Sequence, residues 1–306
     1  MSVAMRRVLI LVMVAGLLLA GCARSRSSEE EMAPDLQVTV SIVPQAYFVE
    51  RIGGEHVAVQ VMVEPGQSPH TYEPKPEQLV ALSQSNVYFS IGVSFEDAWL
   101  ERIAAASPGM LLVDTAAGIE RRYIEAHDHG DDDDDHEEDY EGENLDPHIW
   151  LSPRLVKIQA RHMADALAEL DPEHAQEYRD NLVAFEAEID ALDAEIRQQL
   201  AGLTSVKFLV FHPSWGYFAD EYGLEQVAIE VGGQEPSAAE LAQLITMARE
   251  EGIRVVFAQP EFSTRSAEVI AEEIDGRVLL INPLALDWAE NLREVARTVA
   301  EVLGEE

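Results

Sequence analysis

Residues 36–63 read LQVTVSIVPQAYFVERIGGEHVAVQVMV, and this stretch decides the fold. Its first eight residues alternate and are rich in β-branched side chains, which suits a strand. PQAYFVERIGG then carries apolar residues at helical spacing and stops at glycine. VAVQVMV returns to strand. The same alternation continues: PEQLVALSQS (76–85) reads as helix, NVYFSIG (86–92) as strand, SFEDAWLERIAAAS (94–107) as helix and MLLVDTAAG (110–118) as a short strand. Such a series implies a parallel sheet with helices on both faces, because each parallel pair needs a crossover long enough to hold a helix.

The second half repeats the pattern. VKFLVFH (206–212), EQVAIEV (225–231), IRVVFAQ (253–259) and RVLLINPL (277–284) read as strands separated by helical segments, and WAENLREVARTVAEVLG (288–304) as a closing helix. Ser237 followed by Glu240 has the form of a capping box at one helix start. Between the halves lies a tract, 172–203, in which Tyr178, Leu182, Phe185, Ile189, Leu192, Ile196 and Leu200 step by three or four. They form one stripe over about 30 residues, roughly 45 Å of helix at 1.5 Å per residue. Only one such tract is present, so it reads as a rigid backbone helix rather than a coiled coil. The fold class is α/β: two similar lobes, 36–171 and 204–306, each a parallel sheet flanked by helices, joined by the helix over 172–203.

The N-terminus has its own logic. MRRVLILVMVAGLLLAGC (5–22) combines a positive start, an apolar stretch too short to span a bilayer and a small-residue cleavage site. Residues 1–22 therefore read as a secretion signal ending in a bacterial lipobox. Cys22 is the only cysteine in the chain. An internal disulfide is excluded, and acylation of Cys22 explains the residue's position. Two or three acyl chains hold a protein at a membrane surface. Residues 23–35 become a polar tether.

The formal net charge of −36 argues against nucleic acid and anionic lipid as partners, and for cations or basic proteins. Part of it is local: Asp128 to Asp146 hold twelve carboxylates and no Lys or Arg. Within this insertion, 127–145, His127, His129 and His136 stand among the aspartates. The composition is that of a solvated charge run, and the histidines add a weak accessory affinity for divalent metal.

Ligands of open parallel sheets bind beyond the carboxyl ends of the strands. His70 follows the second strand, His212 ends KFLVFH, and His148 lies just beyond the acidic insertion, so the three converge on the cleft between the lobes. Each also touches a proline, in SPHTYEP, DPHIW and FHPSW. Proline restricts its own φ and the residue before it, which holds a ligand's backbone in place. His56, His162 and His174 lack that setting. A lone imidazole is usually structural, whereas three at one edge suit zinc or, with oxygen donors, manganese. Trp150, Trp215, Tyr217 and Phe218 read as packing of the cleft floor. Glu73, Asp146 and Glu230 are candidates to orient the histidines.

The segments PGQSPHTYEPKPEQL, DPHIWLSP, FHPSWGYFADEYGL and INPLALDWAENL, in that order, resemble the ZnuA/TroA-like solute-binding proteins of zinc and manganese ABC transporters. The resemblance runs from about Val38 to the end. It implies two α/β lobes on one rigid helix, with His70, His148 and His212 as metal ligands and a His- and Asp-rich loop before the second of them. Many members carry a carboxylate where this chain has Asn282. The fourth position is then Asn282 or a water, with Asp287 and Glu261 as substitutes. A site without that carboxylate favours Zn²⁺ over Mn²⁺. The resemblance further implies a monomeric, lipid-anchored protein outside the cytoplasmic membrane, in the periplasm or at the cell surface. It would pass its metal to a cognate permease powered by an ATPase, and it would catalyse nothing. Three alternatives stand beside this: a manganese-specific member, a surface adhesin, and a zinc hydrolase with Glu261 as general base, although no HExxH pairing is present.

Overall fold

The computed structural model describes residues 34, 36–124, 145–203, 205–230, 234–262 and 264–304. The secretion signal, Cys22, the tether apart from Pro34, and His127, His129 and His136 of the acidic insertion lie outside the described residues.

The first sheet has four strands, β1 (Leu36–Ile42), β2 (Val57–Val63), β3 (Val87–Ser90) and β4 (Leu111–Asp114). The second has β5 (Lys207–Val210), β6 (Glu225–Ala228), β7 (Val255–Ala258) and β8 (Arg277–Leu280). Both are wholly parallel, and their orders are β2-β1-β3-β4 and β6-β5-β7-β8. The two orders are the same pattern used twice, which establishes the similarity of the lobes that sequence alone did not prove. In each, the chain first moves outward from the central strand to one edge and then crosses to the other. That reversal opens a crevice at the carboxyl ends of the two central strands.

Helices α1 (Val43–Gly53), α2 (Pro76–Leu82) and α3 (Ser94–Ala106) belong to the first lobe. A 3₁₀ turn, Ile149–Leu151, leads into α4 (Pro153–Leu170), whose first free N–H groups are met by Ser152 Oγ accepting from Leu155 N at 3.3 Å. The long tract is α5 (Ala175–Gln199). It is shorter than expected, about 37 Å at 1.5 Å per residue. Asp171 and Pro172 form the turn from α4, closed by Tyr178 Oη donating to Asp171 Oδ2 at 2.6 Å. Gly202, at φ +79°, lies in the turn beyond the other end. The expected stripe is real, since Tyr178, Phe185, Ile189, Leu192 and Ile196 are all buried. They face α1, α4 and the last helix rather than standing as a free strut.

The second lobe adds α6 (Gly216–Tyr222), α7 (Ala238–Glu250), α8 (Arg265–Glu273) and α9 (Trp288–Gly304). Its strands divide their side chains by strand periodicity. Phe208, Val210, Val255 and Phe257 join a large core that also contains β1, β3, α1, α4, α5 and α9. Leu209, Val256 and Ala258 face the other way, onto Leu244 and Ala248 of α7 and Ala267 and Ile270 of α8. One hydrophobic core therefore runs through both lobes, and a smaller one lies under α7 and α8. No helix among the described residues is long and apolar enough to cross a membrane.

Candidate metal centre

Three histidines meet at the carboxyl edges of the two sheets. His70 lies in the loop between β2 and α2, His148 opens the 3₁₀ turn before α4, and His212 stands two residues beyond β5. His70 Nε2 is 3.1 Å from His212 Nε2, and His212 Nε2 is 3.3 Å from His148 Nε2. Among the described residues this is the one group of three or more His, Cys, Asp or Glu side chains whose donor atoms close to within 4.8 Å.

The opposite ring nitrogens are all engaged. His148 Nδ1 lies 2.7 Å from Asp146 Oδ1, which also accepts from the His148 backbone N–H at 2.9 Å. His212 Nδ1 lies 2.6 Å from Glu230 Oε1, and His70 Nδ1 lies 3.0 Å from Ser94 Oγ. A neutral imidazole that donates its Nδ1 proton carries a lone pair on Nε2. The three lone pairs then point at one focus, an arrangement suited to a cation. Zinc–nitrogen bonds of about 2.0–2.1 Å in a tetrahedron separate the nitrogens by about 3.3–3.4 Å, close to the separations of His212 from each of the other two histidines.

Asp146 and Glu230 hold histidines as anticipated, but Glu73 does not hold His70; Ser94 does. The serine begins the helix after β3, so the strand-edge rule that located the histidines also reaches it. Around Asp146, which is buried, Tyr217 Oη donates to the Asp146 carbonyl at 3.0 Å and accepts from Arg122 N at 3.1 Å. Arg122 lies 2.9 Å from Asp220 and 3.9 Å from Asp146 Oδ2. A Cβ on Gly216 would sit 2.4 Å from Arg122 Nη1, so glycine keeps room for this guanidinium. Sequence reasoning did not find Arg122, because nothing in its spacing points to the site.

His148 and His212 are buried and His70 is exposed along one edge. Although the residue is exposed at its outer edge, its ring turns inward against His212; desolvation there is the main influence that pushes His70 down to about 3, with the His212 and His148 imidazoles adding to it. Burial also lowers His148, partly offset by Asp146. Both are therefore neutral at physiological pH, as metal ligands must be. Between pH 6.5 and about 3 the unfolded chain binds a proton at His70 that the folded chain refuses, so the stability contributed by neutral His70 is whole above 6.5 and is lost as pH falls toward 3. Metal-free wild type should lose thermal stability relative to His70→Asn as pH is lowered from 7.5 to 5. A constant difference in melting temperature across that range would contradict this.

The cavity at the focus is about 20 Å³, lined by Pro69, His70, His148, His212, Glu261 and Phe262 among others. That is room for about one water-sized guest. Phe262 stacks on the His212 ring, centroids 5.0 Å apart, and the Trp150 ring lies 5.1 Å from His148. Asn282 is not brought to this group. Its Oδ1 accepts from Leu284 N at 2.8 Å and its carbonyl accepts from Asn291 Nδ2 at 2.7 Å, which shapes the turn after β8. Asp287 is exposed, and its Oδ1 accepts from Glu290 N at 3.2 Å at the start of α9.

Fold and cavity define a two-lobed α/β protein whose cleft can hold a single metal ion. The chain matches the family model of ZnuA, the periplasmic zinc-uptake complex component A, over residues 38–302, and it belongs to that family. It is 28% identical over 275 residues to the high-affinity zinc uptake system protein ZnuA of Bacillus subtilis (strain 168), covering 88% of this chain and 85% of that one. A crystal structure of ZnuA superposes with a TM-score of 0.80 at 49% identity, covering 87% of this chain and 98% of that one. A ZnuA deletion mutant with zinc bound gives 0.80 at 48% identity, covering 89% and 99%.

Proposed function

We propose that the protein captures Zn²⁺ outside the cytoplasmic membrane and delivers it to an ABC permease powered by a cytoplasmic ATPase. The observation that carries this is the convergence of three Nε2 atoms, each backed by a partner on Nδ1, on a cavity the size of one ion. His70, His148 and His212 are the ligands. Nitrogen donors favour zinc over manganese, which prefers more oxygen, and a cavity this small has no room for several retained waters. The same smallness weighs against a hydrolase, which needs space for a substrate beside its metal-bound water. Lipid attached at Cys22 holds the monomer at the membrane. His127, His129 and His136 supply a weak accessory affinity that raises local metal concentration near the cleft.

Competitive titration of Zn²⁺ against Mn²⁺ tests this, on the wild type and on a variant lacking residues 127–143. The expected result is one tightly held Zn²⁺ per chain that Mn²⁺ does not displace at equal concentration, with that site retained in the deletion. Equal affinity for the two metals would remove the zinc assignment. Loss of the tight site in the deletion would move the primary site off the three histidines.

A further inference from the structure

We infer that Glu261, and not the residue after the last strand, supplies the fourth ligand to the metal; this rests on the reading that the cavity takes zinc. Four observations place it there. Glu261 follows β7, the central strand beside β5, so it rises from the same crevice as His212. It lines the cavity with the three histidines. Its Oε2 is buried with no hydrogen-bond partner. Finally, the two other side chains available at this edge are occupied, Asn282 by the Leu284 N–H and Asp287 by the Glu290 N–H.

A buried carboxylate oxygen without a partner costs free energy, and such an atom in a native protein calls for an explanation. Here the partner is a cation at the focus of the three imidazole lone pairs. The loop that carries Glu261 is held for the task. Gln259 is buried and its Nε2 donates to the His212 carbonyl at 3.1 Å and to Ser214 Oγ at 2.6 Å. That amide ties the Glu261 loop to the segment bearing His212, while Phe262 stacks against the His212 ring. Three neutral nitrogens and one carboxylate make a closed four-coordinate set for zinc, and the carboxylate offsets half of the ion's charge.

The test uses the whole protein, with Zn²⁺ for affinity and Co²⁺ as a spectroscopic probe of coordination. Glu261→Gln should still bind one ion, with affinity for Zn²⁺ reduced at least about 10-fold, the lower bound for loss of an orienting partner, and with altered Co²⁺ d–d bands. Asn282→Ala should leave those bands unchanged. Should Glu261→Gln fold poorly, a crystal structure of the zinc-loaded wild type decides: a Glu261 carboxylate oxygen within about 2.0–2.2 Å of the metal is expected. Glu261→Gln with wild-type bands and affinity, or a loaded structure with Glu261 outside bonding distance, overturns this assignment while leaving zinc capture intact. A wild type that takes up no zinc overturns both.

Discussion

His148→Ala should weaken zinc binding by more than about 100-fold, beyond the 10- to 100-fold range seen for partners that merely orient a ligand. Two losses combine. The Nε2 that faces His212 at 3.3 Å is gone, and Asp146, buried and bonded to Nδ1 at 2.7 Å, is left with its backbone contact but no imidazole. Losing the imidazole bond to this buried carboxyl adds about 1.5–3 kcal/mol of destabilisation to the protein itself. Two measurements separate these effects. Chelator competition reads the affinity, and the melting temperature with and without zinc reads the linkage: a ligand at 100 times its Kd stabilises by about 2.7 kcal/mol, which the variant should not gain at the same zinc concentration. Asp146→Asn and Glu230→Gln serve as graded comparisons, each expected to fall within about 10- to 100-fold. His148→Ala with wild-type affinity would mean that the metal is held elsewhere.

The three histidines were legible because they obey a topological rule. Strand and helix alternate from Leu36 onward, parallel strands follow, and the carboxyl edge of such a sheet is where His70 and His212 must lie. His148 was harder, since it follows an insertion, yet Pro147 marks the return to fixed backbone. The same rule is silent about direction. Asn282 and Glu261 both stand just past strands of the second lobe, β8 and β7, and nothing in their spacing tells which side chain turns inward. Asn282 turns back to accept the Leu284 N–H, a local bond that amides of this kind form readily in turns. The family resemblance put position 282 first and left Glu261 as a substitute. Likewise Glu73 was a reasonable orienting carboxylate by proximity in sequence to His70, but Ser94, 24 residues on, holds it. The length of the linking helix was overestimated for a related reason. Periodicity registers the apolar stripe, whereas the turn at Asp171 and Pro172 is decided by bonds such as Tyr178 to Asp171 that no window of hydrophobicity records.

Trp288→Ala should cost about 3–5 kcal/mol of stability, the range for truncating a buried aromatic to alanine and a large share of the roughly 5–15 kcal/mol that holds a domain folded. Trp288 is buried at the first turn of α9. Its ring meets Phe48 of α1 edge-on at 5.2 Å and Phe185 of α5 at 6.5 Å, so it packs where the two lobes and the long helix join. It also closes a pair of bonds across that junction. Trp288 Nε1 donates to the Trp150 carbonyl at 2.7 Å, and Trp150 Nε1 donates to the Pro283 carbonyl at 2.7 Å. Trp150 in turn lies against His148. Trp288→Phe loses the N–H to the Trp150 carbonyl and the second ring of the indole but keeps a six-membered ring in place, so its cost should fall below that of alanine, about 1–3 kcal/mol. Val183→Ala, at an exposed position of α5, should stay within about 0.5 kcal/mol. Urea denaturation of the three variants measures the series, and Trp288→Ala with wild-type stability would show that the junction is not where the lobes are joined. Because the lock runs from α9 through Trp150 to a histidine of the site, the lobes cannot swing apart without breaking two buried hydrogen bonds and an aromatic cluster. Zinc-free and zinc-loaded crystals should accordingly differ by small loop and side-chain shifts about the cavity. A wide domain rotation between them would refute the lock.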